Sequence, residues 1–256
     1  MCKDIKLING DAYKEIKKID DKTIDLILID PPYDIPNNYT IRDSKNLQAG
    51  FRTNGNKLSR IDKDRIIKSI NLKDMSNGID FHILNEFERI SKKINMFIFC
   101  NKTLLFKLIN YYNDEKYEKF SKEILVWCKT NPMPLINETF LPDIEYIFYI
   151  KENGVKLQGN YEMRHKYFIQ PSNISDKKIY EHPTIKPQNI LLNLINVSTK
   201  KNDLVLDCFC GSGSTAIACM RTQRRFIGFE IDKKFYKIAK NRIEGEEAKI
   251  SIFEYL

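Results

Sequence analysis

Four apolar residues, Leu26-Ile27-Leu28-Ile29, run without a polar break into Asp30-Pro31-Pro32-Tyr33. A strand with no polar alternation is covered on both faces, so the chain needs a sheet with helices packed above and below it. Pro31 has no N–H for a ladder and does not fit a helix, so the strand stops at Asp30. Asp30, the backbone of the two prolines and the Tyr33 ring are then held stiffly at a strand's C-terminal end, where open α/β sheets bind ligands. On these residues alone, a Pro-Pro turn with Asp30 as an ordinary turn residue is an equal reading.

The rest of the chain repeats the alternation of strand and helix. Ile5-Lys6-Leu7-Ile8 reads as a short strand, and Asn9-Gly10-Asp11 turns into a helix over 12–18 with Asp11 as its N-cap. With the strand before Asp30 this makes a parallel crossover unit. Helical spacing returns over 80–93 (Phe81, Leu84, Phe87, Ile90), followed by the strand Met96-Phe97-Ile98-Phe99-Cys100 and a helix over 103–112. Two β-rich runs, 123–128 and 144–150, flank the Pro-rich loop Asn131-Pro132-Met133-Pro134 and read as an antiparallel hairpin. Later come an amphipathic helix over 188–198, the buried strand Leu204-Val205-Leu206-Asp207, a helix over 216–221 and the strand Phe226-Ile227-Gly228-Phe229-Glu230. A helix over 233–244 and a last strand over 249–253 complete the expectation.

Two stretches break the pattern. Residues 34–80 form a basic insert: between 40 and 73 there are nine Lys/Arg against three acids, six of the chain's net +8 charges. Beside the Pro-Pro-Tyr turn such a loop suits a phosphate backbone, and a solvated loop is the plainer reading. Residues 151–181 mix basic and aromatic side chains (Lys156, Tyr161, Arg164, His165, Lys166, Tyr167, Phe168), which suits a base-reading segment or a surface excursion anchored by a few rings. At 256 residues the chain is expected to be one domain over 1–256. Six cysteines without a C-x-x-C pair and only three histidines speak against a zinc site and for a reducing cytoplasm. Charges throughout 1–20 argue against a signal peptide, and no apolar run reaches the ~18 residues of a membrane span.

The strand ending at Asp207 opens onto Cys208-Phe209-Cys210-Gly211-Ser212-Gly213-Ser214-Thr215. Strand, Gly-x-Gly turn, helix, strand and terminal acid describe an adenosine-binding crevice, in which glycines admit the ligand and the acid takes ribose hydroxyls. Glu230 follows Gly213 by 17 residues, close to the expected spacing. No Gly-Lys-Ser/Thr follows and the third glycine of a dinucleotide fingerprint is absent, so a nucleoside without a pyrophosphate fits better; S-adenosylmethionine is one.

Asp30-Pro31-Pro32-Tyr33 and Phe209-x-Gly211-x-Gly213 together resemble the two signature motifs of the amino-directed DNA methyltransferases, which methylate N6 of adenine or N4 of cytosine. Catalytic motif first and cofactor motif last, with Gly10-Asp11 at the start and His182-Pro183-Thr184-Ile185-Lys186-Pro187 before the glycines, is similar to the circularly permuted β group. The resemblance covers 5–33, 94–150 and 182–244. It implies a Rossmann-like class I methyltransferase fold: a seven-stranded, mostly parallel sheet, a terminal antiparallel hairpin and a small inserted DNA-recognition region. It implies that Asp30, Pro31, Pro32 and Tyr33 hold the target base. Asp30, Asp207, Phe209, Gly211, Gly213, Ser214 and Thr215 would shape the pocket of S-adenosylmethionine. Glu230 would bind its ribose, Asp11 its adenine, and Thr184 and Lys186 its carboxylate, with Ala12 and Ile231 lining the same site. Cys208 stands where the family often has proline, and Asp34 where Asn or Gly often follows the tyrosine.

An aromatic amine is a poor nucleophile because its lone pair is delocalised into the ring. The Asp30 carboxylate and a carbonyl of the Asp30–Pro32 turn can accept both amine hydrogens, which favours a pyramidal nitrogen, while Tyr33 stacks on the flipped base. The implied activity is methylation of adenine N6 in double-stranded DNA without a metal. Cytosine-N4 transfer and a non-catalytic DNA-binding subunit of the same fold are the alternatives. A homodimer and a cognate restriction endonuclease are partners that the resemblance would allow.

Overall fold

The computed structural model describes residues 4–33, 78–132, 140–173, 179–180 and 185–254. Most of the basic insert, residues 34–77, lies outside them, as does Thr184. The described chain begins with strand β1 (Ile5–Asn9), a one-turn helix α1 (Ala12–Glu15) closed by a 3-10 turn (Ile16–Lys18), and β2 (Leu26–Ile29). Helix α2 (His82–Ile90), β3 (Asn95–Cys100), α3 (Lys102–Tyr111), β4 (Ser121–Lys129) and β5 (Ile144–Lys151) follow. The last elements are β6 (Tyr167–Gln170), α4 (Gln188–Ser198), β7 (Leu204–Asp207), α5 (Ser214–Arg221), β8 (Arg225–Glu230) and α6 (Lys233–Glu254).

Among the described residues, eight strands join one sheet in the order β1-β8-β7-β2-β3-β5-β4-β6. Every neighbouring pair is parallel except the two that β5 makes with β3 and β4. Alternate side chains of the central strands feed two cores. Ile27 and Ile29 of β2 join Ile83, Leu84 and Phe87 of α2 and Leu104 and Leu108 of α3 on one face. Leu26 and Leu28 join Ile190 and Leu194 of α4, Ile217 of α5 and Ile243 of α6 on the other. This is why β2, β3 and β7 read as unbroken apolar runs: each has no polar face to offer. Among the described residues no helix is long and apolar enough to cross a membrane.

The structure corrects three expectations. The sheet has eight strands, not seven, because Tyr167–Gln170 adds to the outer edge of β4, with Val126 opposite Tyr167 and Lys129 opposite Gln170. Its alternation covers only four residues between charged and aromatic neighbours, too short to stand out as a period. Residues 249–253 are not a strand: α6 runs through them to Glu254. Gly245 does not end that helix, since it does not adopt positive φ, and Glu246 holds the last turns through ion pairs to Arg221 and Lys249. The helix expected over 12–18 is one α-turn plus a 3-10 turn, which lets the chain reach the start of β2 quickly.

Candidate active site

The connection from β7 leads through α5 to β8, on one side of β7, whereas the chain leaves β2 for β3 on the opposite side. Neighbouring parallel strands whose connections diverge leave a crevice at their carboxyl ends. Asp207 is the last residue of β7, and Asp30 follows the last residue of β2, so the two acids flank that crevice although they are far apart in the chain. Glu230 ends β8 one strand further out, and β1 next to it leads to Asp11.

The glycine turn is built for close approach. Gly211 and Gly213 have φ of 51° and 78°, and a Cβ on Gly213 would lie 3.0 Å from Cβ of Ala239 in α6. The backbone of this turn donates inward: Phe209 N–H to Asp207 Oδ1 at 3.0 Å, Gly211 N–H to Glu230 Oε2 at 2.7 Å. Glu230 Oε1 accepts from Asp232 N–H at 2.8 Å. Burial pushes Asp207 up to about 7 against hydrogen bonds from Thr215 and Phe209, and burial likewise pushes Glu230 up to about 7. Two buried acids at neighbouring strand ends suit a ligand that brings hydroxyl donors and positive charge. Ser214 and Thr215, buried at the start of α5, complete the turn, and Phe209 is partly buried beside them. Gln188 donates to the Ser214 carbonyl at 2.9 Å, while its buried Oε1 has no hydrogen-bond partner among the described residues.

Asp11 caps α1 by accepting from Tyr13 N–H at 3.0 Å, and Ala12 is buried in the core, whereas Ile231 is 69% exposed. Arg242 of α6, which sequence reasoning passed over, donates to the Ser212 carbonyl at 2.7 Å and to its hydroxyl at 2.9 Å, and stacks 4.1 Å from the Tyr180 ring. A lone arginine in an amphipathic helix carries no signal of such a reach.

Beyond β2, the Tyr33 hydroxyl lies 2.8 Å from Asp30 Oδ1 and 3.1 Å from Glu145 Oε1. The Lys186 ammonium donates to Asp30 Oδ2 at 2.6 Å and pairs with Glu145 Oε1 at 2.9 Å. Lys129 pairs with the other Glu145 oxygen at 2.9 Å. The structure thus brings Lys186 to the Asp30 carboxylate, where its ammonium is 5.1 Å from the Phe99 ring centroid. Burial raises the Asp30 carboxyl; the Lys186 ammonium opposes this and the charge of Glu145 adds to it. Burial also acts on Glu145, but two lysines outweigh it and hold that carboxyl down to about 2.

Glu145 and Lys129 were not singled out from sequence. Glu145 sits near the start of β5, and because β5 runs antiparallel to β3 and β4 its start lies at their carboxyl ends. An acid inside the β-rich run, one strand across from a terminal lysine, was the only available signal. In the 151–181 stretch, Arg164 is spent on the carbonyls of Leu157, Gln158 and Gly159, and Lys166 pairs with Glu123. Tyr161 and Tyr167 remain 78% and 52% exposed.

A family model described as DNA methylase, of the N6/N4 type, matches residues 24–241. The chain is 29% identical to the type II methyltransferase M2.LlaDCHI of Lactococcus lactis subsp. cremoris, over 93% of this chain and 88% of that protein. The solved M1.HpyAVI–SAM complex matches at TM-score 0.61 and 23% identity over 93% of this chain and 99% of that one. The cytosine-N4-specific PvuII DNA methyltransferase matches at TM-score 0.67 and 15% identity, over 93% and 86%.

Proposed function

The chain belongs to the N6/N4 DNA methylase family, and we propose that within it the protein methylates N6 of adenine in double-stranded DNA with S-adenosylmethionine as donor. The observation that carries this reading is the crevice between β7 and β2, with an adenosine-type glycine turn on one side and Asp30-Pro31-Pro32-Tyr33 on the other. Within the family that the motifs resemble, Asp rather than Ser before Pro-Pro-Tyr goes with adenine more often than with cytosine, which supports the adenine reading.

Asp207, Phe209, Gly211, Gly213, Ser214 and Thr215 would hold the methionine part of the donor, Glu230 the ribose hydroxyls and the Asp11 region the adenine. When bound, the donor supplies a methyl group on a positively charged sulfur. Asp30 and a carbonyl of the Pro-Pro turn accept the two hydrogens of the target amine. Its nitrogen lone pair is thereby released from the ring and aimed along one axis. The rigid turn fixes that axis, because neither proline can yield in φ. The raised Asp30 carboxyl is also suited to take the proton that the nitrogen sheds after transfer. Tyr33 would stack on the extruded base. The exposed rings of Tyr161 and Tyr167, on the 151–181 segment, are proposed to meet DNA.

Expression in a methylation-deficient bacterial host, followed by long-read mapping and nucleoside analysis, tests the reading. N6-methyladenine at one short sequence is the expected result. N4-methylcytosine would move the specificity, and an unmodified genome with folded, donor-binding protein would leave a non-catalytic subunit. Replacing Glu230 by Ala should weaken S-adenosylmethionine binding by about 10- to 100-fold, the loss of charge-assisted hydrogen bonds to a ligand. Unchanged affinity in equilibrium dialysis would remove the ribose role.

A further inference from the structure

Both oxygens of Asp30 already carry donors: Tyr33 on Oδ1 and Lys186 on Oδ2. An ionised carboxylate offers about four lone-pair directions, and two are already taken, so each resident donor that moves away opens another to an incoming amine hydrogen. A buried ammonium with one carboxylate partner would not give way, because separation strands two charges. Glu145 changes that balance. Its Oε1 stands within hydrogen-bond reach of the same two donors, 3.1 Å from the Tyr33 hydroxyl and 2.9 Å from Lys186 Nζ. Its Oε2 is tied to Lys129, which fixes the carboxylate with Oε1 facing the site. The backbone beneath it is strand, with Glu145 opposite Trp127 of β4 and the next residue, Tyr146, opposite both Val126 of β4 and Cys100 of β3, so the acceptor is held in place. Two carboxylates and two ammoniums leave the cluster neutral, and neither donor loses all partners when Asp30 is taken.

We propose that Glu145 is a positioning residue for methyl transfer: it is the alternative acceptor onto which the Tyr33 hydroxyl and the Lys186 ammonium move, freeing Asp30 to accept its one hydrogen of the target amine. The inference rests on the methyltransferase reading given above. Glu145 touches neither base nor donor in this scheme; it acts through Lys186 and Tyr33.

Glu145→Gln keeps the shape and removes the charge, so Lys186 closes on Asp30. The expected result is a single-turnover rate lower by about tenfold or more, with the dissociation constant of S-adenosylmethionine and the KM for DNA each within about twofold of wild type. Glu145→Asp, which restores the charge one methylene short, should fall between the two. Thermal melting run alongside separates folding from function. If Glu145→Gln fails to fold, Glu145→Asp decides alone: a reduced rate at unchanged donor affinity supports the inference, and a wild-type rate overturns it. A wild-type rate in Glu145→Gln, or a loss shared equally by rate and donor affinity, also overturns it. The wild-type protein on unmethylated DNA is the control. No methyl transfer there overturns the functional reading and this inference together, whereas an active wild type with an equally active variant overturns this inference only.

Discussion

Asp30→Ala should lower the single-turnover rate of DNA methylation by about 10³-fold, the scale for removing a group aimed at developing charge, while donor affinity changes by less than about threefold. The two effects separate because of where the residues sit. Asp30 lies beyond β2, and the donor-side acids Asp207 and Glu230 end β7 and β8. The variant leaves Lys186 paired with Glu145, so the buried ammonium is not abandoned and the fold should persist. Quenched-flow methylation and equilibrium dialysis on the same preparation give both numbers. A near wild-type rate would mean that the carboxylate does not bind the amine, and the proposed mechanism would be lost.

Lys186→Met carries the largest expected loss of stability, about 3–5 kcal/mol, the cost of breaking a buried ion pair from one side. The Lys186 side chain is only 8% exposed and bridges Asp30 and Glu145. Without it Glu145 keeps Lys129, and Asp30 becomes the uncompensated charge. Asp30 then evades the penalty by holding a proton, so its folded-state pKa rises further above the unfolded value. A group shifted that way binds more protons in the folded state, and stability falls as pH rises through the window between the two pKa values. The deficit should therefore be larger at pH 8 than at pH 5, which urea unfolding at the two pH values measures. A ligand role for Lys186 at the donor carboxylate predicts otherwise: weaker donor binding with little change in unfolding free energy. The unfolding data separate these readings of one lysine.

Much of the architecture was legible because it is local. An apolar run of four to six residues with no alternation reads as a doubly covered strand, and Pro31 stops one such run, so β2, β3 and β7 follow from short stretches. Asp11 was legible as a cap for the same reason, since its partner is two residues away. What failed was also local in kind. Tyr167–Gln170 is too short to show a period, and a strand and the end of a long helix were indistinguishable over 249–253.

The sequence by itself determined that acids and glycines stand at strand ends, since strand boundaries depend on neighbours in the chain. Only the tertiary structure decided which ends meet. The diverging connections of β7 and β2 set Asp207 and Asp30 on one crevice, and the reversal of β5 carried Glu145 to the same edge. Lys186 shows the difference most directly. Its motif position suggested a ligand for a carboxylate of the donor, and nothing in the motif told which carboxylates of the protein, Asp30 and Glu145, it is buried between. A buried charge takes the nearest opposite charges the fold brings to it, and that choice depends on pairing between strands, not on spacing along the chain.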